Sequence, residues 1–221
     1  MSISRDCNIR QIQGRILLSP ASQAFIARMP VLQGHEWDGK LERPLWRHGD
    51  KTLIKRVKDE IKECLKELQG DFCAYCGMPF YVTSSTQIEH IAPKGNGRYP
   101  LFMFNVSNLV HACSLCNGFE KKEANGNFDT IAVLNGDYEL CVFNIVHPYL
   151  DDPDDHFEFT QAGNRVLITH ITPKGQRSIT VFQLDGEALT TERGKMIMVA
   201  QYQMDPKFKK AFDDSLDRRP Y

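Results

Sequence analysis

At 221 residues, 42% hydrophobic and 25% charged, the chain has the composition of an ordinary globule, with enough apolar mass for one domain or two small ones. It holds no apolar run long enough to span a bilayer and no apolar stretch behind its charged start, so a cytoplasmic protein without membrane contact is expected. The net charge of −1 divides into +4 over residues 1–70, zero over 71–125 and −5 over 126–221, too little positive charge to hold nucleic acid by phosphate neutralisation alone.

The first fifty residues read as irregular, with breakers at Pro20, Pro30, Gly34, Gly39 and Pro44 and with Trp37 and Trp46 as packing anchors. From Lys51 to Gln69, Leu53, Ile54, Val57, Ile61, Cys64, Leu65 and Leu68 fall on one helical stripe, and Gly70 stands as a C-terminal stop. This predicts a helix packed on the core with a solvated charged face, rather than one that reads DNA. Residues 131–146 read as strand-turn-strand around Asn135-Gly136, with Tyr138, Leu140 and Val142 alternating. HPYLDDPDDHFEF (147–159) reads as an acidic, proline-punctuated connector. Its Asp151, Asp152, Asp154 and Asp155 lack the glycine and terminal Glu of a calcium loop, which leaves a solvated turn or a partner surface. A strand over Asn164–Ile171 follows a Gly163-Asn164 turn, Ser178–Leu184 is open between strand and helix, and Glu187–Met204 is helical in composition apart from Gly194. The order predicts class α+β. Three segments are expected: an N-terminal irregular stretch plus amphipathic helix (1–70), a small metal module (71–125) and a C-terminal α/β extension packed on it (126–221).

The chemistry lies in the middle segment. Seven cysteines are an odd number, and two pairs stand as Cys-x2-Cys: Cys73–Cys76 and, after 36 intervening residues, Cys113–Cys116. In a chain without an export signal this favours metal over disulfides. Two such knuckles supply four thiolates to one tetrahedral, closed and therefore structural Zn²⁺. The remaining Cys7, Cys64 and Cys141 give no sign of a redox role. Between the knuckles stand Gln87-Ile88-Glu89-His90-Ile91-Ala92-Pro93-Lys94, a glycine-rich loop, and Asn108-Leu109-Val110; Asn117 follows Cys116 directly. Glu89 and His90 are adjacent, so on an extended strand they face opposite ways, and a bend is needed for both to meet one substrate.

On the elements CAYC, IEHIAPK, NLVHAC and CSLCN, spanning residues 73–121, the sequence resembles the HNH endonuclease family. The resemblance implies a ββα-metal core, a hairpin and a helix wrapped around one catalytic divalent ion. It gives His90 the role of general base activating water, Glu89 that of acidic metal ligand, Asn108 that of the brace for the loop orienting the base, and Asn117 that of second metal ligand. Hard oxygen donors suit Mg²⁺ or Mn²⁺. Many relatives carry a Lys three residues after the last Asn; here Glu120 stands there, and Lys121 and Lys122 are equal candidates for a phosphate contact, beside Lys94 and Arg98. His111 matches no catalytic position and reads as structural.

The flanks, among them RYPLFMFNVSNLV, CNGFEKK and HPYLDDPDDHFEF, resemble more narrowly the HNH subunit of Septu-type anti-phage systems and effectors accompanying some retrons. That likeness implies an ABC/SMC-like ATPase partner and nucleic acid as substrate, with DNA favoured. Two other readings stand beside it: an RNA-cleaving (tRNA) enzyme of the same kind, and a non-enzymatic zinc module that binds nucleic acid or protein.

Overall fold

The computed structural model describes residues 9–29, 33–40, 47, 49–95, 98–117, 129–204, 207 and 210. Ser19 opens the first helix, α1 (Pro20–Ala27): its hydroxyl accepts the Ser22 N–H, and Pro20 sits at the first helical position. The irregular reading of this stretch is corrected there, because Pro20 starts a helix instead of breaking one. Helix α2 (Asp50–Gln69) follows the predicted stripe, burying Ile54, Val57, Ile61 and Leu65, and Gly70 at φ 63° ends it. A single turn, α3 (Phe80–Thr83), leads to strands β1 (Gln87–His90) and β2 (Leu109–Ala112), which pair antiparallel with Gln87 opposite Ala112 and His90 opposite Leu109.

Strands β3 (Ile131–Val133) and β4 (Val142–Phe143) form the expected strand pair, irregular in register. The alternation read at Tyr138 and Leu140 is corrected: residues Tyr138–Leu140 make a 3-10 turn, with Asp137 capping through the Glu139 N–H and Tyr138 buried. The connector reading of 147–159 holds for exposed Asp152, Asp154 and Asp155 but fails at its two ends. His147 is fully buried, and Phe157 begins strand β5 (Phe157–Ala162), which pairs along its whole length with β6 (Arg165–His170). The open segment resolves as helix α4 (Pro173–Phe182), capped by Thr172, and helix α5 (Glu187–Met204) closes the described chain.

Two apolar clusters meet across the β1–β2 hairpin. One gathers Ile54, Val57, Ile61 and Leu65 of α2 with Trp37, Met103, Phe104 and Leu109. The other joins the cysteine knuckles and Val110 to Tyr138, Phe143, Ile145 and α4. Among the described residues no helix is long and apolar enough to cross a membrane.

Candidate functional site

The cysteine knuckles lie side by side. The Sγ atoms of Cys73, Cys76, Cys113 and Cys116 are all within 4.8 Å of one another, and all four residues are buried. A tetrahedral ion with Zn–S near 2.3 Å sets its sulfurs about 3.8 Å apart; Cys76 and Cys113 stand at 3.9 Å. Tight turns aim the sulfurs inward. Gly77, at φ 70°, donates to the Cys73 carbonyl, Cys116 N–H donates to the Cys113 carbonyl, and Cys113 N–H donates to the Cys73 sulfur at 3.4 Å. Without a cation the sulfurs share protons unequally: hydrogen bonds from Cys116 and the other two sulfurs hold the Cys113 thiol low, while Cys76 and Cys116 are pushed up, chiefly by their bonds to Cys113. The donor set fits one closed zinc site.

Beside it, β1 carries the adjacent Glu89 and His90, both buried, with His90 at the end of the strand. His90 faces the α2 cluster. Its ring stands edge-on to Trp37 at 4.6 Å, is 6% exposed, and bonds through Nε2 to the Met103 carbonyl at 3.1 Å. A carbonyl only accepts, so Nε2 carries the proton and Nδ1 holds the lone pair. Burial, helped by the Lys94 charge, pushes the His90 pKa down to about 3 against the pull of the Met103 bond, and the ring is neutral at cellular pH. Glu89 is also buried. After burial, its charge is the largest cause raising the Tyr75 phenol. Asn117 is hydrogen-bonded through Nδ2 to the Gln87 side-chain oxygen, which brings it to the strand that carries Glu89 and leaves its Oδ1 as the atom suited to a cation. A carboxylate and an amide oxygen are the donors Mg²⁺ or Mn²⁺ prefers.

Asn108 is completely buried and fully engaged. Its Oδ1 accepts the Ala92 N–H at 2.6 Å and the Tyr138 hydroxyl at 3.0 Å, while Nδ2 donates to the Ala92 and Phe102 carbonyls at 3.2 and 2.9 Å. Both ends of the 92–102 loop are thereby pinned, one residue before the carbonyl that holds His90. Lys94 and Arg98 ride on that loop, half-buried. Lys94 stands 3.6 Å from the Asp38 carboxylate. Lys121 and Lys122, and the helix expected to follow Cys116, lie outside the described residues, as does Trp46. His111 is 3% exposed in β2, and burial takes its pKa down to about 4, in keeping with a structural role.

The sequence marks Trp37 only as an anchor and Tyr138 only as an alternating strand residue. Trp37 left no signal tying it to His90. Tyr138 left only a faint one, an aromatic residue behind the Asn-Gly-Asp turn.

Over 161 residues, covering 66% of the chain and 54% of its relative, the sequence is 32% identical to Septu protein PtuB of Bacillus mycoides (strain KBAB4). Over 58 residues, 26% of the chain and 28% of the relative, it is 38% identical to the protein named "Retron Vc95 putative HNH endonuclease" from Vibrio cholerae serotype O1 biovar El Tor. The chain is thus similar to a Septu protein and, over a shorter stretch, to a retron protein named for the HNH endonucleases. The match spans about half the length of the first of these relatives and just over a quarter of the second. No protein-family profile and no solved structure matches the chain.

Proposed function

We propose that the chain is a metal-dependent HNH endonuclease that hydrolyses phosphodiester bonds in DNA, as the nuclease of an anti-phage system working with an ATPase subunit. The observation that carries this reading is the setting of His90: a neutral imidazole at the end of β1, with Nε2 committed to Met103 and Nδ1 left as the base, beside a loop pinned by Asn108. The relatives' names support the reaction class and the defence setting.

In this mechanism His90 Nδ1 takes a proton from water as the oxygen attacks phosphorus and the P–O bond to the leaving nucleoside oxygen breaks. Glu89 and Asn117 would hold a Mg²⁺ or Mn²⁺ ion, whose chemistry here is Lewis acidity toward the phosphoryl and leaving oxygens. Asn108 keeps the loop and the base in register, and Lys94 and Arg98, with Lys121 and Lys122, contact substrate phosphates. The four cysteines carry structural zinc.

The test is cleavage of supercoiled plasmid, single-stranded DNA and tRNA with Mg²⁺, Mn²⁺ or EDTA, comparing wild type with His90→Ala, alone and with an ABC/SMC-like ATPase as partner. Metal-dependent cutting of DNA is expected to fall at least about a hundredfold in the variant, with zinc content and fold retained. Cutting confined to tRNA moves the substrate to RNA. No cutting under any of these conditions overturns the nuclease and leaves a zinc-binding module.

A further inference from the structure

The HPY segment at 147–149 is unexplained by the reaction above, yet it is built into the site. His147 is fully buried, and its Nδ1 accepts two backbone N–H groups, from Tyr149 at 3.1 Å and Leu150 at 3.2 Å. Two donors at Nδ1 fix the tautomer, so the proton is on Nε2. That Nε2–H lies 2.9 Å from the Tyr138 hydroxyl, which in turn donates to Asn108 Oδ1 at 3.0 Å. Every hydrogen bond in this buried chain has one permitted direction, from His147 to Tyr138 to Asn108. Two residues on, the Tyr149 hydroxyl donates to the Leu109 carbonyl at 2.8 Å, and Leu109 is the strand partner of His90. The segment is itself anchored, since Asp151 accepts the His147 N–H at 2.7 Å and is paired with Lys174.

We infer that Tyr138 and His147 are positioning residues of the nuclease site, acting through Asn108 on the 92–102 loop and thereby on the ring of His90. The inference rests on the reading of His90 as general base. The physical case is geometric. Asn108 spends one oxygen on two donors, and without the Tyr138 hydroxyl its amide is held from the loop side alone, so its bonds to Ala92 and Phe102 loosen. The carbonyl of Met103, one residue past the Asn108-bound Phe102 carbonyl, then loses the alignment that sets Nδ1 toward the attacking water. A base displaced by about an ångström costs on the order of a hundredfold in rate.

The experiment uses the full chain and the substrate that wild type cuts and His90→Ala does not. In Tyr138→Phe, kcat is expected to fall tenfold or more with KM unchanged within about twofold and zinc retained, and the Ala92 amide to exchange faster with solvent. Phe143→Leu is the control for packing alone. The Phe143 ring lies 5.2 Å from that of Tyr138 and 4.5 Å from that of His147 and brings no polar group, so at similar loss of stability it should keep kcat and Ala92 protection. His147→Gln, which offers an amide donor toward Tyr138, should fall between wild type and Tyr138→Phe; it also serves as the test if Tyr138→Phe does not fold. Unchanged kcat and Ala92 exchange in Tyr138→Phe, or an equal loss in Phe143→Leu, overturns the inference while leaving the nuclease intact. An inactive wild type overturns the nuclease reading instead, and Ala92 exchange still reports on the hydrogen-bond chain.

Discussion

A buried histidine that must stay neutral makes folding depend on pH, and His147 offers a clean case. Burial takes its pKa from about 6.5 down to about 3, with the Asp151 charge opposing the shift and Lys174 assisting it. Because the folded value is the lower one, the stability it contributes is present above about pH 6.5 and is lost as pH falls toward 3. Over that window the unfolded chain binds a proton that the native ring refuses. Between pH 7.5 and 5.5 this one residue should cost about 1.4 kcal/mol. Urea unfolding at the two pH values, in wild type and His147→Asn, measures the difference; an equal pH dependence in both would contradict the assignment. His147→Asn keeps an acceptor near the place of Nδ1, so the comparison isolates titration from loss of the turn at Tyr149 and Leu150.

At the scale of elements, packing decides where propensity points the wrong way. Gly194 sits inside α5, where alanine would ordinarily gain about 1 kcal/mol. A Cβ there would stand 1.9 Å from the Asn164 carbonyl oxygen, in the turn between β5 and β6. Gly194→Ala is therefore expected to lower stability by about 1–3 kcal/mol, read by thermal or urea unfolding, instead of raising it. The same contest explains which elements were legible in the sequence. The α2 stripe and the β6 strand behind Gly163 are periodic over long enough runs to be read directly. Helix α1 has eight residues, so its start had to be seen in Ser19 and Pro20 and not in a pattern. Tyr138–Leu140 mimics a strand by alternating apolar residues, but the Asp137 cap tightens it into a 3-10 turn. Candidate ligands and bases were visible because their spacing along the chain is fixed by local turns and strands. The chain from His147 through Tyr138 to Asn108 was not, since its three residues lie 9 and 30 positions apart and meet only after the clusters form.

For the molecule as a whole, the four-cysteine cluster joins stretches separated by 36 residues and sits within the larger apolar cluster. With the proposed zinc in that cluster, metal binding and folding are one equilibrium. Cys113→Ser is expected to lose the metal and to lower the melting temperature sharply, with metal content by atomic spectroscopy falling from one zinc per chain; a stable variant with full activity would contradict the structural-zinc assignment. The chain on either side of the motif-bearing stretch is stitched into it as well. Ile12 N–H donates to the Pro148 carbonyl at 2.8 Å, Tyr149 reaches Leu109, and Trp37 lies against His90. The stretch from Cys73 to Asn117 that carries the recognisable motifs is thus not a cassette that can be lifted into another protein. Grafted alone, it would arrive with Asn108 short of one partner and the imidazole stripped of its indole wall. Any exchange of this module between scaffolds, in the laboratory or in evolution, has to move Trp37, Tyr138 and the HPY segment along with it.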